Sequence, residues 1–271
     1  MTHFLIHPGF HKTGTTSLQG FLNKNRNTFA KQDISIFLGP QLGPLSLAGR
    51  RYGRNPGQNT MRKFKRSVLR FLENVNESDT VIVSRESLSG RMIGDIRDDG
   101  SVVTSYAPSA TPLLWFFVKA ARNKFGHDTP ITMLFTTRNR DSLLRSAYKH
   151  NLRNRRVIDT FDDFQNRFDP TFNLDDEITK IGAALKNVNI VSRTLEELIE
   201  AQFGPGSAIV DLLDLPPDVL KKLKQTRPQR LGQSDDLSAE LLELNLTVQD
   251  DADLIEQKRT LLQTAEGIRP D

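Results

Sequence analysis

The run His7-Pro8-Gly9-Phe10-His11-Lys12-Thr13-Gly14-Thr15-Thr16 joins a short apolar stretch, Phe4–His7, to a helical pattern over Thr15–Asn25. A strand that ends in a glycine-bearing loop and continues as a helix gathers several backbone N–H groups around one point. The positive end of the helix dipole adds to them, so such a loop is suited to holding a phosphate. Gly9 and Gly14 have the spacing of a Walker A loop, but Thr15 stands where that pattern needs its lysine. The loop's lysine is Lys12, three residues earlier, with its charge inside the loop. The alternative is a glycine-bearing turn between strand and helix that holds no ligand.

Two further places carry chemistry. Arg138-Asn139 ends the apolar run Ile131–Thr137, and Ser146 follows Arg138 by eight residues, with Tyr148 two further on. Arginine offers a planar fork of donors to phosphate oxygens, and a serine hydroxyl supplies one more. Glu86 stands two positions after the run Val81–Ser84 and His11 inside the glycine-bearing loop, and both are residue types that can accept a proton. Pairing of Glu86 with Arg85 or another arginine is the competing role for that carboxylate. His7 and His150 are expected to be satisfied structural histidines.

Lys12-Thr13-Gly14-Thr15-Thr16 resembles the 5′-phosphosulfate loop of the sulfotransferase superfamily, and Arg138 with Ser146 resembles that family's 3′-phosphate motif. The resemblance implies 3′-phosphoadenosine 5′-phosphosulfate (PAPS) as sulfuryl donor and adenosine 3′,5′-bisphosphate (PAP) as product. Lys12, Thr13, Gly14, Thr15 and Thr16 would then hold the 5′-phosphosulfate, and Arg138 and Ser146 the 3′-phosphate. Some members use a histidine or glutamate just beyond the third strand as general base, which makes Glu86 the first candidate and His11 the second; the catalytic candidates are thus Lys12, Glu86 and His11, with no metal. Better-known members carry a tryptophan after Gly-Thr-Thr, where this chain has Ser17, and a carboxy-terminal Arg-Lys-Gly-x-x-Gly segment that it lacks. The nearest stretch able to close over the nucleotide contains Arg230.

Positioning these residues takes a parallel sheet. Strand signals at Phe4–His7, Ile34–Leu38, Val81–Val83 and Ile131–Thr136 alternate with helical ones, which predicts an α/β fold of P-loop type flanked by helices. Thr111-Pro112 has the signature of a helix start running to about Lys124. Residues 155–271 are mainly helical, with a short strand at Asn189–Val191, and the whole of 1–271 is expected to form one domain. Residues 39–60 and 86–110 are rich in Gly, Pro, Ser and Asp and are expected to be long irregular loops.

The chain has 271 residues, no cysteine and five histidines, which excludes disulfides and thiolate chemistry and offers no His-Glu-x-x-His metal spacing. No apolar run reaches the length of a membrane span, and a cytoplasmic protein without stable membrane insertion is expected. Net charge is +4, but residues 1–156 carry +15 and the remainder −11. The basic half calls for a polyanionic partner. A P-loop nucleotide or sugar kinase and a nucleic-acid-binding protein remain as alternatives. The first lacks its lysine, and the second lacks a recognisable reading motif. The basic residues Arg62, Lys63, Lys65 and Arg66 are expected to form solvated helix surface. Arg50, Arg51 and Arg54 could guide an acidic acceptor.

Overall fold

Phe4, Leu5 and Ile6 are apolar on both sides of the pleat, as a strand covered on both faces must be. In the computed structural model, which describes residues 1–226 and 233–265, they form the middle of a five-stranded sheet. In chain order the elements begin β1 (His3–His7), α1 (Thr15–Lys24), α2 (Arg26–Ala30), β2 (Ile34–Phe37), α3 (Leu45–Arg54), α4 (Gln58–Glu73), β3 (Thr80–Ser84), α5 (Ala107–Phe125) and β4 (Ile131–Thr137). They continue with α6 (Arg140–Asn154), α7 (Phe161–Gln165), α8 (Leu174–Gly182), β5 (Asn189–Thr194), α9 (Leu195–Glu200), α10 (Ser207–Val210), α11 (Pro217–Leu220), α12 (Asp235–Thr247) and α13 (Asp251–Thr264). The strands lie in the order β2-β3-β1-β4-β5, and every pairing is parallel. The protein therefore has the α/β fold with a parallel sheet that the sequence predicts.

Among the described residues one compact unit comprises 1–139 and 173–226. On one side of its sheet Leu5, Ile36, Ile82 and Leu134 pack with Leu18, Phe21 and Leu22 of α1 and with Ile209 and Leu215. Strand alternation sends Phe4 and Phe135 to the other side. There Phe4 meets Phe125 of α5 edge-on at 5.0 Å, and Phe135 stacks on Phe10 at 5.2 Å. Among the described residues the second unit comprises 140–172 and 233–265. In it the Tyr148 ring packs on Phe161 and Phe164, and its hydroxyl donates to the Asp159 carbonyl at 2.8 Å. Buried Lys258 donates to the carbonyls of Leu152 and Arg155. Burial, with Arg156 nearby, lowers its pKa to about 8.

Three local expectations are corrected. Helix α5 starts at Ala107 rather than at Thr111, and Pro112 lies inside it. The cap comes from far away in sequence: the Glu177 carboxylate on α8 accepts from Ser105 Oγ and from the N–H groups of Tyr106 and Ala107, at 2.6, 2.7 and 2.8 Å. The expected loop 39–60 contains a 3₁₀ turn at Gly39–Leu42 and all of α3. Two of its glycines are contact points: a Cβ on Gly49 would lie 1.9 Å from the Ser87 carbonyl oxygen, and one on Gly53 2.5 Å from Arg91 N. The 86–110 stretch opens with a 3₁₀ turn, Glu86–Ser89, and ends in α5, with one antiparallel bridge between Ile96 and Val102 in between.

Candidate functional site

Ligands of parallel sheets bind outside the carboxyl ends of the strands. Three of those ends carry the sequence-predicted residues of the first unit: the loop after β1, the turn after β3 and Arg138 after β4.

The loop holds an unusual backbone. Gly9, Lys12 and Gly14 all have positive φ, 104°, 65° and 92°. For Lys12 that is the left-handed region, which a side chain other than glycine occupies at a cost of about 1 kcal/mol or more. The surroundings impose it. Phe10 is fully buried and stacks on Tyr106 at 4.5 Å, while Thr13 Oγ1 and Thr15 Oγ1 donate to the Phe10 carbonyl at 2.6 and 3.1 Å. Thr136 N donates to the Gly9 carbonyl at 3.1 Å, and Thr13 Oγ1 lies 2.6 Å from Thr136 Oγ1. Gly14 then caps α1 without a side-chain acceptor, and the first turn of this ten-residue helix has no acidic residue. The leading N–H groups of a helix have no partner within it, so those of α1 are set up to receive an anion. A Cβ on Gly14 would also lie 2.8 Å from Leu195 Cδ1.

Arg138 reaches the same loop. Its Nη1 donates to the Lys12 carbonyl at 3.3 Å, and Asn139 is held by Glu196 through both its N–H and its side-chain amide. Burial lowers the Arg138 pKa, with Glu196 opposing. Thr16 is exposed at the start of α1. Ser146 is half-buried on α6 and belongs to the second unit. Arg230 lies outside the described residues.

Glu86 and His11 face each other electrostatically. Glu86 Oε2 accepts from Gln19 Nε2 at 3.3 Å, and Oε1 lies 3.7 Å from Arg85 Nη1, with about a quarter (26%) of the Glu86 side chain exposed. Burial pushes this carboxyl up, but the positive charge His11 can carry, the Arg85 guanidinium and a backbone hydrogen bond outweigh it, and the pKa falls below that of ordinary glutamate. The His11 ring is nearly parallel to Tyr106, 5.9 Å between centroids, and its Nδ1 is buried without a hydrogen-bond partner among the described residues. Burial lowers its pKa to about 4, against Glu86 and Asp95, which raise it, and with Lys12 and Arg50, which lower it further. At neutral pH the pair therefore stands as carboxylate and neutral imidazole, both forms that can accept a proton.

Two residues support the site from behind, and one of them, Gln19, escapes sequence reasoning. Fully buried His7, the structural histidine expected, sits between Ser84 Oγ at 2.8 Å and Thr136 Oγ1 at 3.2 Å, which links the ends of β1, β3 and β4. Burial lowers its pKa to about 4, so it acts here as a neutral spacer. Gln19 donates to the Ser84 carbonyl at 3.1 Å, to Ser84 Oγ at 3.3 Å and to Glu86. Its signal was a polar residue one turn after Thr15 on the buried face of α1.

Among the described residues no cluster of three His, Asp or Glu side chains could hold a metal ion, and no helix is long and apolar enough to cross a membrane. No family model matches the sequence, and no curated protein matches it significantly.

Proposed function

We propose that the protein is a PAPS-dependent sulfotransferase of the cytoplasm, which moves a sulfuryl group to a hydroxyl or amine of an acceptor such as a glycan or small molecule. The observation that carries this reading is the convergence of Lys12, the open start of α1 and Arg138 on one loop at the carboxyl end of β1. The donor set of the first unit fits a nucleotide with phosphates at two positions: N–H groups and a lysine for the 5′-phosphosulfate, and a guanidinium beside them for the 3′-phosphate.

In this reading the acceptor O–H or N–H gives its proton to Glu86, or to His11, as the acceptor atom bonds to sulfur and the S–O bond to the nucleotide breaks. Negative charge grows on the departing phosphate oxygen. Lys12 and the Thr15 and Thr16 N–H groups favour that charge more than they favour the starting state, which is how fixed donors accelerate a reaction. A P-loop kinase would need a lysine at position 15, where the chain has threonine.

The test is thermal stabilisation by PAP, by ATP with magnesium and by short oligonucleotides. A ligand at about a thousand times its Kd stabilises by roughly 4 kcal/mol, so a true one is visible. PAP should raise Tm and the others should not. A shift with ATP and magnesium alone would favour the kinase, and one with oligonucleotides alone would favour nucleic-acid binding.

A further inference from the structure

Helix α4 carries Arg62, Lys63, Lys65, Arg66 and Arg70, with Glu73 as its one acidic residue. At about 100° per residue, its buried side holds Phe64, Val68, Phe71 and Leu72; Arg62, Lys63, Arg66 and Arg70 fall on the opposite arc, with Lys65 at its edge. All five are exposed, and Leu69, 49% exposed, lies among them. None of the five has a carboxylate partner among the described residues; Arg62 donates to Asn59 Oδ1, and Lys65 Nζ lies 5.3 Å from the centre of the Phe116 ring on α5. That contact brings the two helices' outer faces together. One position before Phe116 on α5 stands Trp115, 46% exposed, with Lys119 Nζ 5.2 Å from the centre of its ring.

A helix surface that only needs solvation does well with mixed charges, since like charges three or four residues apart repel. Here five cations stand without an interposed carboxylate until Glu73, an exposed leucine stands among them, and the neighbouring helix α5 carries an exposed indole. Basic side chains around a few exposed apolar ones suit a surface that is anionic outside and apolar just beneath. Lysine and arginine pair with lipid headgroups there, and tryptophan sits at the headgroup level. A nucleic-acid backbone would use the cations but offers no apolar layer for Leu69.

We propose that the outer face of α4 and α5 docks the protein peripherally on an anionic lipid surface, with Trp115 and Leu69 seated at the boundary between headgroups and acyl chains. The proposal does not depend on the sulfuryl-transfer reading.

Trp115 is the chain's one tryptophan, so its fluorescence reports on this face alone. The full chain is titrated with vesicles of phosphatidylcholine, with and without phosphatidylserine, at low and high salt. Phosphatidylserine vesicles should bind it and salt should weaken the binding. Trp115 emission should move to the blue and be quenched by brominated acyl chains. Lys65→Glu with Arg66→Glu, both at exposed helix positions, should lower partitioning by at least about tenfold, the scale of removing basic side chains from an anionic surface. Trp115→Ser should weaken binding while leaving its salt dependence in place. Absence of binding would overturn the proposal, and so would binding with unchanged Trp115 emission. Stronger binding to an oligonucleotide, lost in the Lys65→Glu/Arg66→Glu protein, would assign the face to nucleic acid instead.

Discussion

Arg138 Nη1 donates to the Lys12 carbonyl at 3.3 Å, across 126 positions of sequence. One end of β4 thus steadies the residue of the β1 loop whose backbone is left-handed. The same guanidinium has further N–H groups for a phosphate, so Arg138 can both shape the loop and bind. Arg138→Ala should weaken PAP more than adenosine 5′-phosphate, by a factor of at least about ten, the scale of one charge-assisted hydrogen bond. Calorimetric titration of both nucleotides measures the ratio. Equal losses for the two would leave Arg138 with the loop alone.

Lys12 separates charge from backbone. Lys12→Ala removes the ammonium and keeps a side chain in the left-handed region, whereas Lys12→Gly removes the charge and relaxes the backbone. Both should lower turnover by about a hundredfold or more, as loss of one transition-state donor does. The glycine protein should be the more stable of the two. Recovery of turnover in Lys12→Gly would mean that backbone shape, and not charge, matters at this position.

The sheet and the strand–loop–helix junction after β1 are legible because both rest on short-range patterns: apolar runs with period two or none, and glycines between a strand and a helix. Strand β5 was found three residues short, since its continuation Ser192-Arg193-Thr194 is polar and half-exposed at the sheet edge. What failed was glycine. Gly49 and Gly53 suggest a loop, yet they sit inside α3 because segment 87–91 approaches too closely for a Cβ. The start of α5 failed for a related reason, because its cap is Glu177, about seventy residues away. Long-range partners leave no mark on local sequence. Gln19 belongs to the same class: it looks like an isolated polar residue until the end of β3 is laid beside it.

The α3 contact can be tested directly. Gly49→Ala would place a methyl 1.9 Å from the Ser87 carbonyl oxygen, which is backbone and cannot rotate away, whereas Gly57 has nothing within 4 Å of its added Cβ. Gly49→Ala should cost more than about 2 kcal/mol in urea unfolding. Gly57→Ala should cost about 1 kcal/mol or less, as expected for a helix cap. Equal effects would contradict the close approach.

Glu177 supplies an acid-side test. Burial raises its pKa, but the hydrogen bonds from Ser105 and Ala107, with Lys180, outweigh burial and leave it below ordinary glutamate. A depressed carboxyl contributes its stability above the unfolded pKa, about 4.3, and loses it as pH falls through the lower folded value. Glu177→Ala should therefore reduce stability at pH 7, on the order of 2 kcal/mol for two backbone N–H groups left unpaired. It should also flatten the decline below pH ~4.3. An unchanged acid limb in the variant would argue against the cap.

The last test concerns the proton acceptor. Glu86 is held by Gln19 and Arg85, and its pKa lies below ordinary glutamate, while that of His11 is near 4. Either group is in its accepting form throughout the neutral range. Turnover should be flat with pH from neutral into mild acid and fall only towards pH ~4, as the acceptor becomes protonated. A fall centred near pH 6.5, the value of an unperturbed histidine, would exclude both. Glu86→Gln preserves shape and an oxygen for Gln19, so PAP affinity should hold while turnover drops by about a hundredfold or more. His11→Ala removes the ring from Tyr106 and leaves the carboxylate in place. If Glu86 is the base, that protein keeps most of its turnover. If instead His11→Ala is inactive with PAP bound normally and Glu86→Gln is not, the proton passes to the imidazole, and the role of Glu86 is to set its charge.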